Sequence, residues 1–411
     1  MASSSSYENV SESAPHASEQ TQRSRAPKLL LCVPSMPGDT LQSMLGNLAG
    51  VFTSDEVLVA SPDFDQEQPG FLHRLPMTFY GGPRGRNGWV LTACDFIAAS
   101  EQAEKYNAGS VLLLGSDAAT LPAGAVRKIA DVLNSGVDLA LPAYNTGPHD
   151  ALVNSALLYP VTRALFGANI RFPLPMDAGM SRRMAAKAAS FAQRQSAASQ
   201  PDALIWPAAE AAVAGLSMRQ VDSGARTPPA PESSDFNALF TGVASSLFAD
   251  VEAKATFWQR ARTVAQTTRP QAAAPGGAAV EDVSEELAGM VDAFRLAHNN
   301  LYEIWSLVLP PQSLLALKKL SQSQPSAFFM APALWARVVY DFVLAFHLRL
   351  MNRGHLLGAL TPLYMAWVAS TLLRASNDAA SAQHREETAV AFEREKPYLV
   401  ARWRWPDRFN P

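Results

Sequence analysis

Short apolar runs alternate with segments of helical periodicity over residues 28–262. Apolar runs bounded by Gly, Pro, Ser or Asp are typical of buried strands. Strands alternating with helices indicate an α/β fold, a mainly parallel sheet with helices on both faces. The predicted strands are KLLLCVP (28–34), EVLVAS (56–61), SVLLLG (110–115), VDLALPA (137–143) and the weaker SMRQVD (217–222). The predicted helices are 40–51, 87–106, 123–134, 151–166 and 235–261.

The remainder of the chain has a different pattern, which predicts helices only. Residues 263–285 are rich in Pro, Ala and Gly without periodicity, as in a linker. Beyond them, an apolar residue recurs every four positions, which predicts a packed helix stripe. Its members are Leu334, Val338, Phe342, Phe346 and Leu350. The predicted organisation is a disordered Ser-rich tail (1–27), an α/β domain (28–262), the linker (263–285) and a helical domain (286–411).

Composition narrows the class of protein. Hydrophobic residues make up 48% of the 411 residues and charged residues 17%, against about 25% charged in an average soluble domain. This excludes a wholly disordered chain. A net charge of −3 argues against a nucleic-acid binder, because no net positive field attracts phosphates. Residues 354–373 lack Asp, Glu, Lys and Arg. This stretch is barely long enough to cross a bilayer, so a buried helix is favoured over a transmembrane span. A peripheral contact with a membrane stays open as an alternative.

Two cysteines and the absence of an apolar segment before Lys28 predict a cytoplasmic protein. Cys32 and Cys94 both lie in apolar runs and cannot form a disulfide framework, which suits a reducing compartment. The first 27 residues contain no hydrophobic stretch of the kind found in secretory signals.

Small and polar residues follow three of the predicted strands, where open α/β sheets bind their ligands. The first group contains Pro34, Ser35 and Asp39, whose backbone can contact a nucleotide. Asp117 follows the apolar strand 110–115, where a carboxylate needs a cation or a hydrogen-bond donor nearby. A helix cap is an equally weighted interpretation of Asp117. The third group surrounds Tyr144.

A basic loop precedes the helix predicted at 87–106. Arg84 and Arg86 are separated by glycine, and guanidinium groups at a helix N-terminus can bind a diphosphate by charge and fork geometry. A solvated basic loop is the simpler interpretation, and the pattern alone favours it.

The order of these features resembles a known family. The stretch PAYNTGPHDALVNSALLYPVTRALFGANIRFPLPMDAGMSRRMA (142–185) and the distal segments DFVLAFH (341–347), TPLYMAW (361–367) and KPYLVARW (396–403) are similar to GT-A-type nucleotide-sugar glycosyltransferases, in particular mannosylglycerate synthase and glucosyl-3-phosphoglycerate synthase. The resemblance implies a GT-A-like, Rossmann-like sheet with a helical carboxyl-terminal domain.

Site residues follow from this resemblance position by position. It implies that Pro34, Ser35 and Asp39 hold the base and ribose of the donor, while Arg84 and Arg86 occupy the donor loop. Asp117 matches the second acidic residue of the family's DxD metal motif. The resemblance assigns the sugar and acceptor region to Tyr144, His149, Asp150 and Asp177, and matches Glu210 to a helix of the donor side.

The expected metal site is incomplete in this sequence. Such a metal, Mg²⁺ or Mn²⁺, would neutralise the leaving diphosphate. Gly115 stands at the first DxD position, and Ser223–Pro228 replace a segment in which the family has a metal-binding histidine. Asp117 alone would hold the metal weakly. Three alternatives remain: arginines (Arg84, Arg86 or Arg226) replace the metal, one metal is kept through Asp117 and the donor, or the chain is catalytically degenerate.

The favoured hypothesis is a glycosyltransferase that moves a hexosyl group from a GDP- or UDP-sugar to a small hydroxylated, glycerate-like acceptor. The resemblance implies retention of the anomeric configuration, a positioning role for Asp177 and a homodimer. The competing hypothesis is a degenerate protein of the same fold that binds a sugar nucleotide or a partner without turnover.

Overall fold

A computed structural model describes residues 27–62, 75–81, 88–147, 152–197, 202–226, 235–261, 283–324, 327–374 and 378–406. The strands are β1 (Leu29–Cys32), β2 (Val57–Ser61), β3 (Met77–Phe79), β4 (Ser110–Leu114), β5 (Leu139–Asn145), β6 (Asp177–Ser181) and β7 (Met218–Ala225). The helices up to residue 258 are α1 (Gly38–Leu48), α2 (Ala93–Lys105), α3 (Ala123–Asn134), α4 (Tyr159–Phe166), α5 (Arg182–Ala197), α6 (Pro207–Val213), α7 (Phe236–Ala253) and α8 (Ala255–Trp258). The later helices are α9 (Val283–Asn300), α10 (Tyr302–Val308), α11 (Pro311–Ser321), α12 (Pro332–Leu348), α13 (Arg353–Leu372) and α14 (Asp378–Arg404).

The described strands form one seven-stranded sheet in the order β3-β2-β1-β4-β6-β5-β7. β6 is antiparallel to both of its neighbours, β4 and β5, and the other pairings are parallel. The five strands predicted from the apolar runs are all present. The predicted architecture is confirmed: a mainly parallel sheet between helices, followed by helices alone.

Two strands escaped prediction because their sequences carry little apolar periodicity. β3 has only three residues, and β6 reads DAGMS. β6 is nevertheless buried in the middle of the sheet, since its ladder pairs Leu114 with Asp177 at one end and Ser110 with Ser181 at the other. The helix predicted at 87–106 begins only at Ala93, after an N-cap at Thr92.

Alternate residues of each central strand enter one of two cores, on opposite faces of the sheet. On one face, Leu112 and Leu114 of β4 join a cluster with α1, α3 and the helices after residue 283. On the other, Val111 and Leu113 pack with α2 and α5. Because both faces are covered, β4 is buried throughout, as expected for a strand with an uninterrupted apolar sequence.

The helices after residue 283 pack against the first of these cores. The Trp335 indole N–H donates to the Ala156 carbonyl at 2.7 Å, within a π-helical turn that precedes α4. Arg163 of α4 forms ion pairs with Glu386 and Glu393 of α14 at 2.6 and 3.0 Å. The proposed domain boundaries remain predictions, and residues 262–282, most of the predicted linker, lie outside the described residues, as does the tail up to residue 26.

The apolar segment 354–373 forms α13, which is buried along most of its length. In the described part of the chain, no helix combines the length and apolar character needed to cross a membrane. The predicted stripe in α12 is buried at Val338, Phe342 and Phe346. Leu350 departs from the prediction: it lies beyond the end of α12 and is 51% exposed, because Arg349 ends the helix in the left-handed conformation.

A buried carboxylate, Asp138, links three strands at the edge of the sheet where β5 and β7 begin and β6 ends. Asp138 accepts hydrogen bonds from the Ser217 amide and hydroxyl, both at 2.9 Å, and from the Ser181 hydroxyl at 2.8 Å. It also pairs with Arg183. These donors, Arg183 above all, hold the pKa of Asp138 well below its ordinary value of 3.8.

Asp138→Asn is expected to lower the free energy of unfolding by about 3 kcal/mol at pH 7, because the donors lose a charged acceptor. The pKa of Asp138 is depressed by folding, so its contribution is present above pH 3.8 and is lost as the pH falls further. Denaturation at pH 7 and pH 3 should therefore show a smaller difference between variant and wild type at the lower pH. Asp131→Asn, at an exposed i,i+4 pair, is the control and should cost less than about 0.5 kcal/mol.

Candidate functional site

The parallel strands deliver their following loops to one edge of the sheet, and β6 begins there. Cys32 pairs with Leu113, so the residues after β1 and β4 leave the sheet side by side. Leu114 pairs with Asp177, and Asn145 pairs with Ala225. This arrangement gathers the predicted residues Pro34, Ser35, Asp117, Tyr144 and Asp177 along one edge.

Asp117 stands exposed at this edge in a left-handed backbone conformation, with φ 56° and ψ 23°. This conformation costs a non-glycine residue about 1 kcal/mol. Its backbone carbonyl accepts from the Thr120 amide at 2.8 Å and hydroxyl at 2.7 Å. Asp117 stands at the N-cap position of a short 3₁₀ turn (Ala118–Thr120), but its side chain makes no capping hydrogen bond and contacts no donor among the residues that the structure describes. The carboxylate therefore does not cap this turn in the described conformation, and Asp117 is exposed.

Gly115 allows β4 to pass directly against the residue that precedes β6. A Cβ at this position would lie 2.4 Å from the Met176 carbonyl oxygen, which is part of the backbone. Any side chain would force the two segments apart. The packing of the sheet therefore requires glycine at position 115.

Asp177 lies beneath the Gly115–Asp117 turn with no solvent exposure. Its Oδ1 accepts from the Gly115 amide at 3.0 Å, while its Oδ2 accepts from the Tyr144 hydroxyl and pairs with the Arg226 guanidinium. Both carboxylate oxygens are engaged inside the protein. This placement assigns Asp177 to holding the turn rather than to touching a ligand in the conformation described.

Arg226 supplies the positive charge beneath the turn, and its side chain is wholly buried. Nη2 donates to the Ser116 carbonyl at 2.6 Å and Nη1 to the Tyr144 hydroxyl at 3.3 Å. The guanidinium lies 5.5 Å from the Tyr144 ring centre, a favourable cation–π distance. Arg226 is therefore bonded to the peptide that precedes Asp117.

A bulge at the end of β7 precedes Arg226. The register between β5 and β7 shifts between Ala143 and Asn145, which pair with Asp222 and Ala225. Gly224 within this shift has φ 74°, which glycine adopts without steric cost. A bulge re-aims the residues that follow it. The pair Ser223–Gly224 was the only sequence signal for this feature.

Tyr144 is predicted as a ligand contact, but it lies in β5 and is 1% exposed. Its ring packs edge-on against Phe172, with centroids 5.2 Å apart. Burial raises the pKa of the Tyr144 hydroxyl well above its ordinary value of 10, so the hydroxyl stays protonated and donates to Asp177. The described conformation gives Tyr144 a role inside the network.

The remaining donor-side predictions divide between described and undescribed residues. Ser35 is exposed and Pro34 is half-buried, both on the loop into α1, and Asp39 is exposed in the first turn of α1. Arg84, Arg86, His149 and Asp150 lie outside the described residues. The first described residue after the arginine loop, Gly88, is adjacent to the turn, since a Cβ on it would lie 3.4 Å from the Ser116 hydroxyl.

Glu210 is buried between α6 and α7 instead of facing this edge. It pairs with the Lys254 ammonium at 2.8 Å, and Lys254 also pairs with Asp250. Burial raises the pKa of Asp250 to about 6 despite the neighbouring ammonium. Asp250 and Lys254 are four residues apart in the sequence, but no local pattern indicates that Glu210 of α6 joins them.

The described residues at the edge do not fit a protein-held divalent metal. Asp117 offers one carboxylate, and Gly115 offers none and has no room for one. Among the described residues, no three His, Cys, Asp or Glu side chains come together as a metal site. Mg²⁺ and Mn²⁺ require several oxygen ligands, so no step is assigned to a metal.

No protein-family model and no curated protein sequence matches the chain. Among solved structures, it is similar to glucosyl-3-phosphoglycerate synthase from Mycobacterium tuberculosis in complex with Mn²⁺, uridine-diphosphate-glucose and phosphoglyceric acid: 15% identity, 55% of this chain and 79% of that chain covered, TM-score 0.36. Another structure of that enzyme has 15% identity and a TM-score of 0.37, with 55% of this chain and 80% of that chain covered. The structure of a mycobacterial protein has 14% identity and a TM-score of 0.35, with 55% of this chain and 74% of that chain covered. TM-scores at this level carry no argument about function.

Proposed function

We propose that this chain is a glycosyltransferase that takes a hexosyl group from a nucleotide-diphosphosugar. The observation that carries the proposal is the strained, exposed Asp117 at the carboxyl edge of the sheet, held by a buried network of Asp177, Tyr144 and Arg226. Strained residues persist where the surroundings fix them, which is common at ligand sites. The sequence resemblance to GT-A-type enzymes supplies the chemistry.

In the proposed reaction, an acceptor hydroxyl oxygen bonds to the anomeric carbon of the donor. The bond between that carbon and the diphosphate oxygen breaks, and the hydroxyl proton leaves with the nucleoside diphosphate. Charge therefore accumulates on the diphosphate in the transition state, and its stabilisation is the main electrostatic task of the protein. We propose retention at the anomeric carbon, as the resemblance implies.

Each edge residue has a proposed part in this reaction. Pro34, Ser35 and Asp39 bind the base and ribose, and Asp117 accepts hydrogen bonds from donor hydroxyl groups. Arg84 and Arg86 bind the diphosphate without a metal, since guanidinium groups pair with phosphate in fork geometry. Asp177 is a positioning residue. His149 and Asp150 are proposed, as the resemblance implies, in the loop around the transferred sugar, where the acceptor hydroxyl reaches it.

UDP or GDP is expected to raise the melting temperature equally with EDTA and with Mg²⁺ or Mn²⁺. A nucleotide that binds only the folded state raises the free energy of unfolding by about 2.7 kcal/mol when its concentration is 100 times Kd. The double variant Arg84→Gln, Arg86→Gln should bind the nucleotide about tenfold more weakly, a loss of roughly 1.4 kcal/mol in binding free energy, and should show a smaller rise in melting temperature. Asp117→Asn, which tolerates the left-handed conformation, should weaken binding of the donor sugar more than binding of the free nucleotide.

Two results would contradict parts of this proposal. If neither nucleotide shifts the melting temperature under any condition, donor binding is excluded. If the shift requires Mn²⁺ and disappears in Asp117→Asn, the metal-independent version fails. The alternative function, donor binding without transfer, is favoured by the sealing of Asp177 within the network. It is supported if nucleotide binds but neither transfer nor donor hydrolysis is detected.

A further inference from the structure

A cleft of about 460 Å³ opens between α7 and the segment that leads into α6. This volume lies within the roughly 300–1,000 Å³ typical of small-molecule sites. Most of its lining residues on α7 are small, with Asp250 among the exceptions, and the other walls carry aromatic rings and Asp202. The wall residues used below are Trp89, Phe191, Asp202, Trp206, Gly242 and Asp250.

The cleft adjoins the edge that holds Asp117. Trp89 directly follows Gly88, which is adjacent to Ser116. From there the chain continues to Thr92, which forms a bridge with Leu204 in the cleft wall. One wall of the cleft is therefore a continuation of the segment that touches the Asp117 turn.

The charge of the cleft is negative. Asp202 and Asp250 line it, and no Lys, Arg or His is present among its described wall residues. Behind the wall, the Lys254 ammonium stands between two carboxylates, Asp250 and Glu210. The Arg194 guanidinium lies 5.7 Å from the ring centre of Phe191, so these two cations leave one net negative charge when Asp202 is included. The Asp250 Oδ2 atom has no hydrogen-bond partner in the described part of the chain, and Asp250 is 4% exposed. Anions are disfavoured in such a field.

Aromatic rings complete the wall. Trp89 is partly exposed, while Phe191 and Trp206 are mostly buried behind the surface. The Trp206 indole N–H is already used, since it donates to the Ser246 hydroxyl at 3.0 Å. The accessible part of the wall thus combines the Trp89 ring with the half-buried Asp202 carboxylate, and the buried Asp250 lies behind them. Ring faces suit the C–H faces of a sugar, and carboxylates suit its hydroxyl groups.

We propose that this cleft binds a neutral saccharide, and, resting on the proposed function, that this saccharide is the acceptor. The negative wall disfavours the anionic, glycerate-like acceptor that the sequence resemblance implies. A saccharide in the cleft would present a hydroxyl group toward the donor held at the Asp117 edge.

Gly242 offers a way to close the cleft without harming the fold. A Cβ at this position meets no atom within 4 Å, and replacement of a helix glycine gains up to about 1 kcal/mol. Gly242→Gln is therefore expected to fold normally and to fill the cleft. Gly289→Gln is the matched control, because Gly289 is an exposed helix glycine of α9 with equally open surroundings.

Binding is measured by saturation-transfer NMR and calorimetry with methyl α-D-glucopyranoside, maltose and D-glycerate. The neutral sugars should bind the wild type and Gly289→Gln, and Gly242→Gln should weaken them by about tenfold or more. D-Glycerate should not compete with them. The proposal is overturned if neither sugar binds the wild type, if Gly242→Gln binds as the wild type does, or if glycerate displaces the sugar.

UDP and GDP binding to the same three proteins separates this site from the proposed donor site. Nucleotide affinity is expected to be unchanged by Gly242→Gln. Sugar binding without nucleotide binding supports the cleft and excludes the transferase, whereas nucleotide binding without sugar binding excludes the cleft alone.

Discussion

Arg226→Met is expected to lower the free energy of unfolding by about 3–5 kcal/mol, because it leaves Asp177 charged and unpaired in a fully buried position. Methionine keeps much of the length and volume of the side chain, so the loss reports on charge and hydrogen bonding more than on a cavity. Chemical denaturation at pH 7 measures the effect. Nucleotide binding should fall as well, because the Ser116 carbonyl loses its donor and the Asp117 turn is no longer fixed.

The double variant Asp177→Asn, Arg226→Met tests whether the loss comes from the unpaired charge. Asparagine keeps an oxygen for the Gly115 amide and removes the negative charge, so more than half of the lost stability should return. Losses that simply add would show that the two residues do not act as a pair. Arg219→Met, at an exposed position in β7, the strand that leads to Arg226, serves as the control and should change stability by less than about 0.5 kcal/mol.

Gly115→Asp, which restores an acidic residue at the first DxD position, is expected to destabilise the protein by about 3 kcal/mol or more. Its Cβ would lie 2.4 Å from the Met176 carbonyl oxygen, and overpacking against backbone forces the strands apart. The new carboxylate would also lie near the buried Asp177. No Mn²⁺-dependent rise in melting temperature should appear, because the packing around the turn leaves no room for a new metal ligand.

Gly115→Ala separates the steric part of this effect from the charge. It should lose most of the same stability, whereas Gly46→Ala should be neutral or gain up to about 1 kcal/mol, because Gly46 lies in α1 with no atom within 4 Å of a new Cβ. A Gly115→Asp protein with wild-type stability and Mn²⁺-dependent nucleotide binding would refute this account. It would show that the site is one mutation away from a metal centre.

The proposed donor site and the cleft make different demands on charge. The donor edge needs positive groups for a diphosphate, which Arg84 and Arg86 are proposed to supply. Arg226 contributes no net charge there, because Asp177 neutralises it within the network. The cleft carries net negative charge. An anionic acceptor would meet repulsion in this cleft, whereas a neutral acceptor is compatible with both sites.

The sequence by itself determined the strands that fill the sheet and the helical end of the chain. An uninterrupted apolar run such as SVLLL in β4 avoids water only when both faces of the strand are covered. Its burial can therefore be predicted from the run itself. The position of Asp117 at a strand end followed from the same run. β6, by contrast, reads DAGMS and is buried only because β4 and β5 close around it.

Only the tertiary structure decided what the edge residues do. Gly115 meets Asp177 across 62 residues, and Arg226 meets Ser116 across 110. Burial of a charge depends on which distant group neutralises it, and no local pattern encodes that partner. The sequence marked Arg226 as one of three candidate cations, and Asp177 as a residue near the sugar. The fold joined them as a buried pair beneath Asp117, because bringing either charge there alone would cost several kcal/mol.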